Sequence, residues 1–183
     1  MAGTLGGRRL AVPTGDRTRP TSDRVREALF STLDSLVDLD GARFADLYAG
    51  SGAVGIEALS RGADHVLLVE SDPRVARVVR GNIAALSVGT AATLVVGKVA
   101  QVLATGPTGH PYDVVFADPP YPVPEEEISA MLAALVDGGW LAADALVAVE
   151  RSRRSPEPAW VPGLTGERSR RYGETTLWYG RRS

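Results

Sequence analysis

Asp46-Leu-Tyr-Ala-Gly50-Ser-Gly52-Ala-Val-Gly55 is the stretch that decides the fold. It follows an apolar run, Arg43–Ala49, and opens a helical pattern at Ala53–Arg61. Glycines 50, 52 and 55 satisfy G-x-G-x-x-G, a spacing that lets the backbone turn sharply and approach a ligand closely. Alone the motif is weak, because nicotinamide and flavin enzymes share it. Two acids change its meaning. Asp46 lies four positions before Gly50, at the strand end, where a pyrophosphate would meet a carboxylate but a cationic amino group and a sulfonium would be welcome. Glu70 closes the second apolar run, where an acid can accept hydrogen bonds from both hydroxyls of a ribose. A glycine turn needed only for packing explains neither acid.

Outward from this loop, short apolar runs alternate with helical patterns, as in a mostly parallel sheet flanked by helices. The expected strands are Arg43–Ala49, His65–Ser71, Ala92–Gly97, Tyr112–Asp118 and Ala145–Glu150. Helices are expected at Ala53–Arg61, Pro73–Leu86 and Pro124–Asp137, and ahead of them at about Asp23–Val37. Asp72-Pro73 opens the second as N-cap and first-turn proline. Val75, Val78, Val79, Ile83 and Leu86 form its apolar stripe. Thr21 or Ser22 can cap the leading helix, whose apolar face is Val25, Leu29, Leu33 and Leu36. Two strands, Glu167–Tyr172 and Thr175–Tyr179, joined at Gly173-Glu174, end the chain in a hairpin. The expected architecture is a Rossmann-like α/β fold with a seven-stranded sheet ending in an antiparallel hairpin. Residues 1–20 read as a basic arm or small hairpin, and 21–183 as the main domain.

Asp118-Pro119-Pro120-Tyr121 closes the fourth strand, at the end where ligands bind in such sheets. Two prolines make poor strand residues and fix a rigid loop instead. The Pro119 carbonyl and the Asp118 carboxylate can accept both hydrogens of a planar amino group, and Tyr121 can stack on the ring that bears it. An aromatic exocyclic amine is a poor nucleophile because its lone pair is delocalised. Acceptors that draw its hydrogens toward a tetrahedral arrangement localise that pair, and the remainder is positioning and electrostatics.

These motifs together resemble the amino-methyltransferases of the Rossmann-like class. Arg19-Pro-Thr-Ser-Asp23-Arg24-Val-Arg26-Glu27, Gly6-Gly-Arg-Arg-Leu-Ala-Val-Pro13 and Tyr172-Gly-Glu-Thr175 narrow the resemblance to the ribosomal small-subunit methyltransferase D family, over almost the whole chain. The resemblance implies S-adenosylmethionine as cofactor and methylation of the N2 amino group of one guanine in 16S rRNA. It also implies Asp118, Pro119, Pro120 and Tyr121 as the catalytic loop and the N-terminal arm as an RNA contact. The cofactor set expected is Asp46, Tyr48, Ala49, Gly50, Ser51, Gly52, Gly55, Glu70, Ser71 and Val99. Val99 enters because the family's Asp or Asn after strand three is Lys98 here, so its amide is the expected adenine contact. The chain begins inside the hairpin that members carry at the N-terminus, so part of that hairpin is expected to be absent.

Charge supports an RNA partner. Residues 1–26 carry a net +4, residues 151–183 a net +5, and the stretch between them −11. Basic ends on an acidic body suggest a polyanion held by the ends. Arg8, Arg9, Arg24 and Arg26 are the expected phosphate contacts, with Arg168, Arg170 and Arg171 on the terminal hairpin. Lys98 is the sole lysine, and a base-composition bias in the genome explains the arginine excess equally well.

The chain has no cysteine and no apolar run near the ~20 residues that span a bilayer, so a soluble, cytoplasmic, monomeric protein without metal is expected. His65 and His110 lack partners at metal-ligand spacing, Ser51 lacks a histidine–acid pair, and Glu125, Glu126 and Glu127 suit a helix N-terminus. Trp140, Trp160 and Trp178 read as packing. Competing functions are a methyltransferase acting on DNA or a protein glutamine, a nicotinamide-dependent oxidoreductase, and a noncatalytic RNA-binding assembly factor. Asp at the head of the proline loop and the two basic ends disfavour the first; the other two give Asp118–Tyr121 or the cofactor loop no task.

Overall fold

The computed structural model describes residues 1–13 and 23–183. The proposed Thr21 or Ser22 cap, and the Arg19–Ser22 part of the basic motif, lie outside them. The chain forms two compact units, Met1–Lys98 and Val99–Ser183, and its strands make the expected seven-stranded mixed sheet.

The first unit contains α1 (Asp23–Leu36), β1 (Arg43–Asp46), α2 (Ala53–Ser60), β2 (His65–Glu70), α3 (Pro73–Ala85) and β3 (Ala92–Val96). Its strands run parallel in the order β3-β2-β1, with Arg43 beside His65 and Glu70 beside Val96. Val66, Leu67, Leu68 and Val69 are all buried, the continuous apolar run of a strand covered on both faces. In α3 the stripe is confirmed at Val75, Val79 and Leu86, while Val78 and Ile83 are half-buried. The Asp72 carboxylate accepts from the Arg74 amide at 2.8 Å, as a helix N-cap should. That bond holds its pKa below the ordinary carboxylate value.

The described part of the arm forms turns over residues 3–7 and no strand, so the hairpin alternative is not seen within residues 1–13. Side chains take the place of a partner strand. Thr4 and Leu5 donate their amides to the carbonyl and hydroxyl of Ser60, both at 2.8 Å. Ala11 exchanges two hydrogen bonds with the Asn82 side chain, at 2.8 and 3.0 Å.

The second unit contains α4 (Val99–Ala104), β4 (Tyr112–Ala117), α5 (Glu125–Asp137), β5 (Leu141–Ser152), β6 (Leu164–Tyr172) and β7 (Thr175–Arg182), ordered β4-β5-β7-β6. β4 and β5 are parallel, and β5, β7 and β6 pair antiparallel, which leaves β6 at the edge. Six-residue α4 is too short to show a helical period and was not expected. β5 begins at Leu141 rather than Ala145. Its first residues pair through an irregular register beside Tyr112, and Asp144 has φ 60°, so no alternation marks them. Trp140 anchors that start: it is buried, stacks on Tyr112 at 6.0 Å and donates Nε1 to the Leu103 carbonyl at 2.9 Å. Both hairpin strands run three residues further than expected at the open end, to Leu164 and Arg182, while the turn end is as expected; there paired Gly166 and Gly180 lie against the Trp160 ring, and a Cβ on Gly180 would fall 2.5 Å from it.

Candidate active site

β1 ends at Asp46, three residues sooner than expected, because the chain turns immediately: the Gly52 amide donates to the Ala49 carbonyl at 2.8 Å. Gly52 has φ 85°, a left-handed conformation that favours glycine. Gly55 serves packing, since a Cβ there would lie 2.3 Å from Leu68 Cδ2, and Leu68 is fully buried. α2 therefore lies close on β2, with its first turn at the loop. Asp46, 1% exposed, accepts from the Gly55 amide through Oδ2 at 3.2 Å. This holds the helix start to the strand end, a task not assigned from sequence.

Glu70 stands beside this loop as expected. Its Oε1 accepts from the Gly50 amide at 3.1 Å and its Oε2 from the Asp72 amide at 2.8 Å. Ala49 is tied to the same strand by its amide on the Val69 carbonyl at 2.8 Å. Tyr48, Gly50 and Ser51 are half-buried on the loop, and Ser71 is exposed beside Glu70. These residues fit a ligand that combines a ribose with a positive centre. The fit rests on two carboxylates at the ends of β1 and β2 and on a turn with little side chain to obstruct an approach.

Asn82 was missed. It is buried on α3 and donates Nδ2 to the Ser51 carbonyl at 2.9 Å as well as holding Ala11. One side chain thus ties the arm to the glycine loop. The sequence signal was an amide next to Ile83 of the apolar stripe, which does not reveal contacts 31 and 71 residues away.

In the second unit, Asp118 to Tyr121 follows the carboxyl end of β4. Asp118 is half-buried, Pro119 buried, Pro120 exposed, and Tyr121 is 36% exposed. The Val123 amide closes a turn on the Pro120 carbonyl at 3.1 Å. Val99, the expected adenine contact, is buried at the start of α4.

The candidate phosphate contacts divide. Arg9 and Arg24 are exposed. Arg8, also exposed, donates to the Ala85 carbonyl at 3.0 Å. Arg168, Arg170 and Arg171 are exposed on edge strand β6. Arg26 is engaged within the fold: it pairs with Glu57 at 3.3 Å and Asp23 at 3.1 Å, and its side chain is 16% exposed. Glu57 also holds Arg61 at 3.1 Å, which reaches Asp34 at 2.9 Å and lies over the Phe30 ring.

The family described as Conserved hypothetical protein 95 matches residues 1–181. The chain is 42% identical to the ribosomal RNA small subunit methyltransferase D of Escherichia coli K12 over 152 residues, covering 82% of this chain and 72% of that one. It is 34% identical to a Bacillus subtilis protein described as a candidate rRNA methyltransferase, over 96% of this chain and 94% of that one. A solved Escherichia coli structure, described as a candidate methyltransferase, superimposes with a TM-score of 0.86 at 34% identity, covering 99% of this chain and 95% of that one. Among the described residues, no helix is long and apolar enough to cross a membrane.

Proposed function

The chain belongs to the ribosomal small-subunit methyltransferase D family, and from that premise we propose that it transfers a methyl group from S-adenosylmethionine to the N2 amino group of a guanine in 16S rRNA. The observation that carries this reading is the Asp118-Pro119-Pro120-Tyr121 loop at the carboxyl end of β4. It presents a carboxylate, a proline carbonyl and an exposed aromatic ring, the set that a planar amine on a flat ring requires.

S-adenosylmethionine supplies a methyl group already activated on a sulfonium. Glu70 would accept from its ribose hydroxyls, while Asp46, the loop from Tyr48 to Gly55, Ser71 and the Val99 amide complete its contacts. Asp118 and Pro119 accept the two amine hydrogens and turn the nitrogen lone pair out of the guanine ring. Positive charge would grow on that nitrogen as its bond to the methyl forms and the methyl–sulfur bond breaks to leave neutral S-adenosylhomocysteine, and the Asp118 carboxylate would stabilise the charge until the proton passes to it and on to solvent. Tyr121 stacks on the base, which must leave its own stack to arrive there. The exposed arginines of the arm and of β6 hold phosphates.

Unmodified 16S rRNA, naked and protein-bound, is the substrate for the test, with mass mapping of the product nucleoside. N2-methylguanine at one position is expected. Asp118→Ala should bind S-adenosylmethionine almost as the wild type does and turn over about a hundredfold more slowly or worse. Near wild-type turnover by that variant, or a methyl group on another base, would refute the reading.

A further inference from the structure

Between Asp118 and Glu125 the chain carries Pro119, Pro120, Pro122 and Pro124. Each proline removes an amide donor, so within 119–124 only Tyr121 and Val123 retain one. The Val123 amide is used in the turn onto Pro120. Such a loop has carbonyls to satisfy and almost no donors of its own, so where a carbonyl is shielded from water its donor comes from elsewhere. It comes from β5. Arg151, a side chain 2% exposed, donates Nη2 to the Val123 carbonyl at 3.1 Å and to Glu125 Oε1 at 2.7 Å. One guanidinium thus grips the loop two residues after Tyr121 and the first residue of α5.

This arginine is an expensive way to fill the space. Its Nε and Nη1 are buried without a hydrogen-bond partner among the described residues. A buried cation with unmet donors stabilises a fold poorly, and an apolar side chain of similar volume often serves as well or better. What methionine could not supply is the pair of directed bonds to Val123 and Glu125.

We propose that Arg151 is a positioning residue for the Asp118–Tyr121 loop. β4 and buried Pro119 fix the loop at its head, and Arg151 fixes it at its tail. The rigid segment between them then holds the Asp118 carboxylate and the Pro119 carbonyl in one direction. The inference rests on the proposed catalytic role of that loop.

The test compares wild type, Arg151→Met, Arg151→Lys and Asp118→Ala. Thermal melting, S-adenosylhomocysteine titration, amide exchange and methyl transfer to unmodified 16S rRNA are measured for each. Arg151→Met should melt near the wild type and keep its S-adenosylhomocysteine affinity. Its Tyr121 and Val123 amides should exchange faster, and turnover at saturating RNA should fall about tenfold to a hundredfold, the scale of an ångström-sized misplacement. KM for the RNA should hardly move, and Arg151→Lys should recover part of the loss. Unchanged loop exchange with wild-type turnover in Arg151→Met overturns the proposal. So does a loss in both variants that follows weaker S-adenosylhomocysteine binding and faster exchange throughout β5 and β7, because Arg151 would then merely support the fold. If Asp118→Ala keeps its turnover, the catalytic reading of the loop fails instead, and selective fast exchange at Tyr121 and Val123 still establishes the clamp.

Discussion

Glu70→Gln is a more searching change than its modest chemistry suggests. Both carboxylate oxygens already accept a backbone hydrogen, one from Gly50 at 3.1 Å and one from Asp72 at 2.8 Å. An ionised carboxylate offers about four lone-pair directions, so roughly two remain for ribose hydroxyls. Glutamine has the same length but a single acceptor oxygen, and its amide nitrogen must face either the Gly50 or the Asp72 N–H. Donor then meets donor whichever way the amide is turned. The side chain swings away and surrenders the ribose contact with the backbone bond. Hydrogen bonds to a charged group contribute about 1.5–3 kcal/mol, so affinity should drop roughly tenfold to a hundredfold. Glu70→Ala should lose about as much, again about 1.5–3 kcal/mol. Calorimetric titration with S-adenosylhomocysteine measures both, and a thermal melt alongside reports the fold. Wild-type affinity in the glutamine variant would remove Glu70 from the cofactor site. A glutamine variant far better than the alanine variant would refute the two-donor geometry.

Arg8→Ala combined with Arg9→Ala should weaken RNA binding and lower its salt slope by about one unit or less per lost phosphate contact; identical slopes with undiminished methylation would show that the arm does not hold the RNA. Glu57→Ala takes one partner from each of Arg26 and Arg61 and leaves them Asp23 and Asp34, so it should cost about 1–3 kcal/mol by urea unfolding, less than the ~3–5 of a fully buried pair because each arginine keeps a second carboxylate and some access to water; a loss under ~0.5 kcal/mol would mean that water and the remaining carboxylates replace Glu57 freely. Burial, reinforced by the Arg43 guanidinium, holds the His65 imidazole below its ordinary pKa of 6.5. The unfolded chain therefore takes up a proton before the native one does, so this contribution to stability is complete above that value and is lost as the pH falls through the folded value. His65→Gln should flatten that part of the curve of urea midpoint against pH, and an unaltered curve would contradict the assignment.

Much of the fold was legible because its signals are local. Val66 to Val69 is a strand buried on both faces, Asp72-Pro73 a helix start, and Gly52 and Gly55 a turn followed by a close-packed helix. Asp118 to Tyr121 stands out in the sequence as a candidate site because two prolines after an apolar strand have little structural use. Apart from α4, too short to show a period, the misses share a cause: their signals are distant in sequence. Asn82 lies beside the α3 stripe and gains its task only when Ser51 and Ala11 are brought to it. The first residues of β5 follow an irregular register set by Tyr112 and Trp140, and the outer hairpin strands depend on Trp160 covering two glycines.

The arginines show how far a charge count carries. The net +5 of residues 151–183 pointed to RNA, yet the structure spends several of those charges internally. Arg151 is buried on Val123 and Glu125, Arg181 pairs with Glu167 at 2.7 Å, and Arg182 donates to the Gly163 carbonyl at 3.1 Å. Arg154, Arg168, Arg170 and Arg171 remain exposed. At the other end Arg26 serves Glu57, whereas Arg9 and Arg24 face solvent. A phosphate arriving from solution can displace the water on an exposed guanidinium at little cost. It cannot take one already held by a buried carboxylate without stranding that charge. The set of exposed guanidiniums is thus narrower than the charge count implied, and the arginine withdrawn deepest from it, Arg151, is the one that reaches the loop proposed to carry the chemistry.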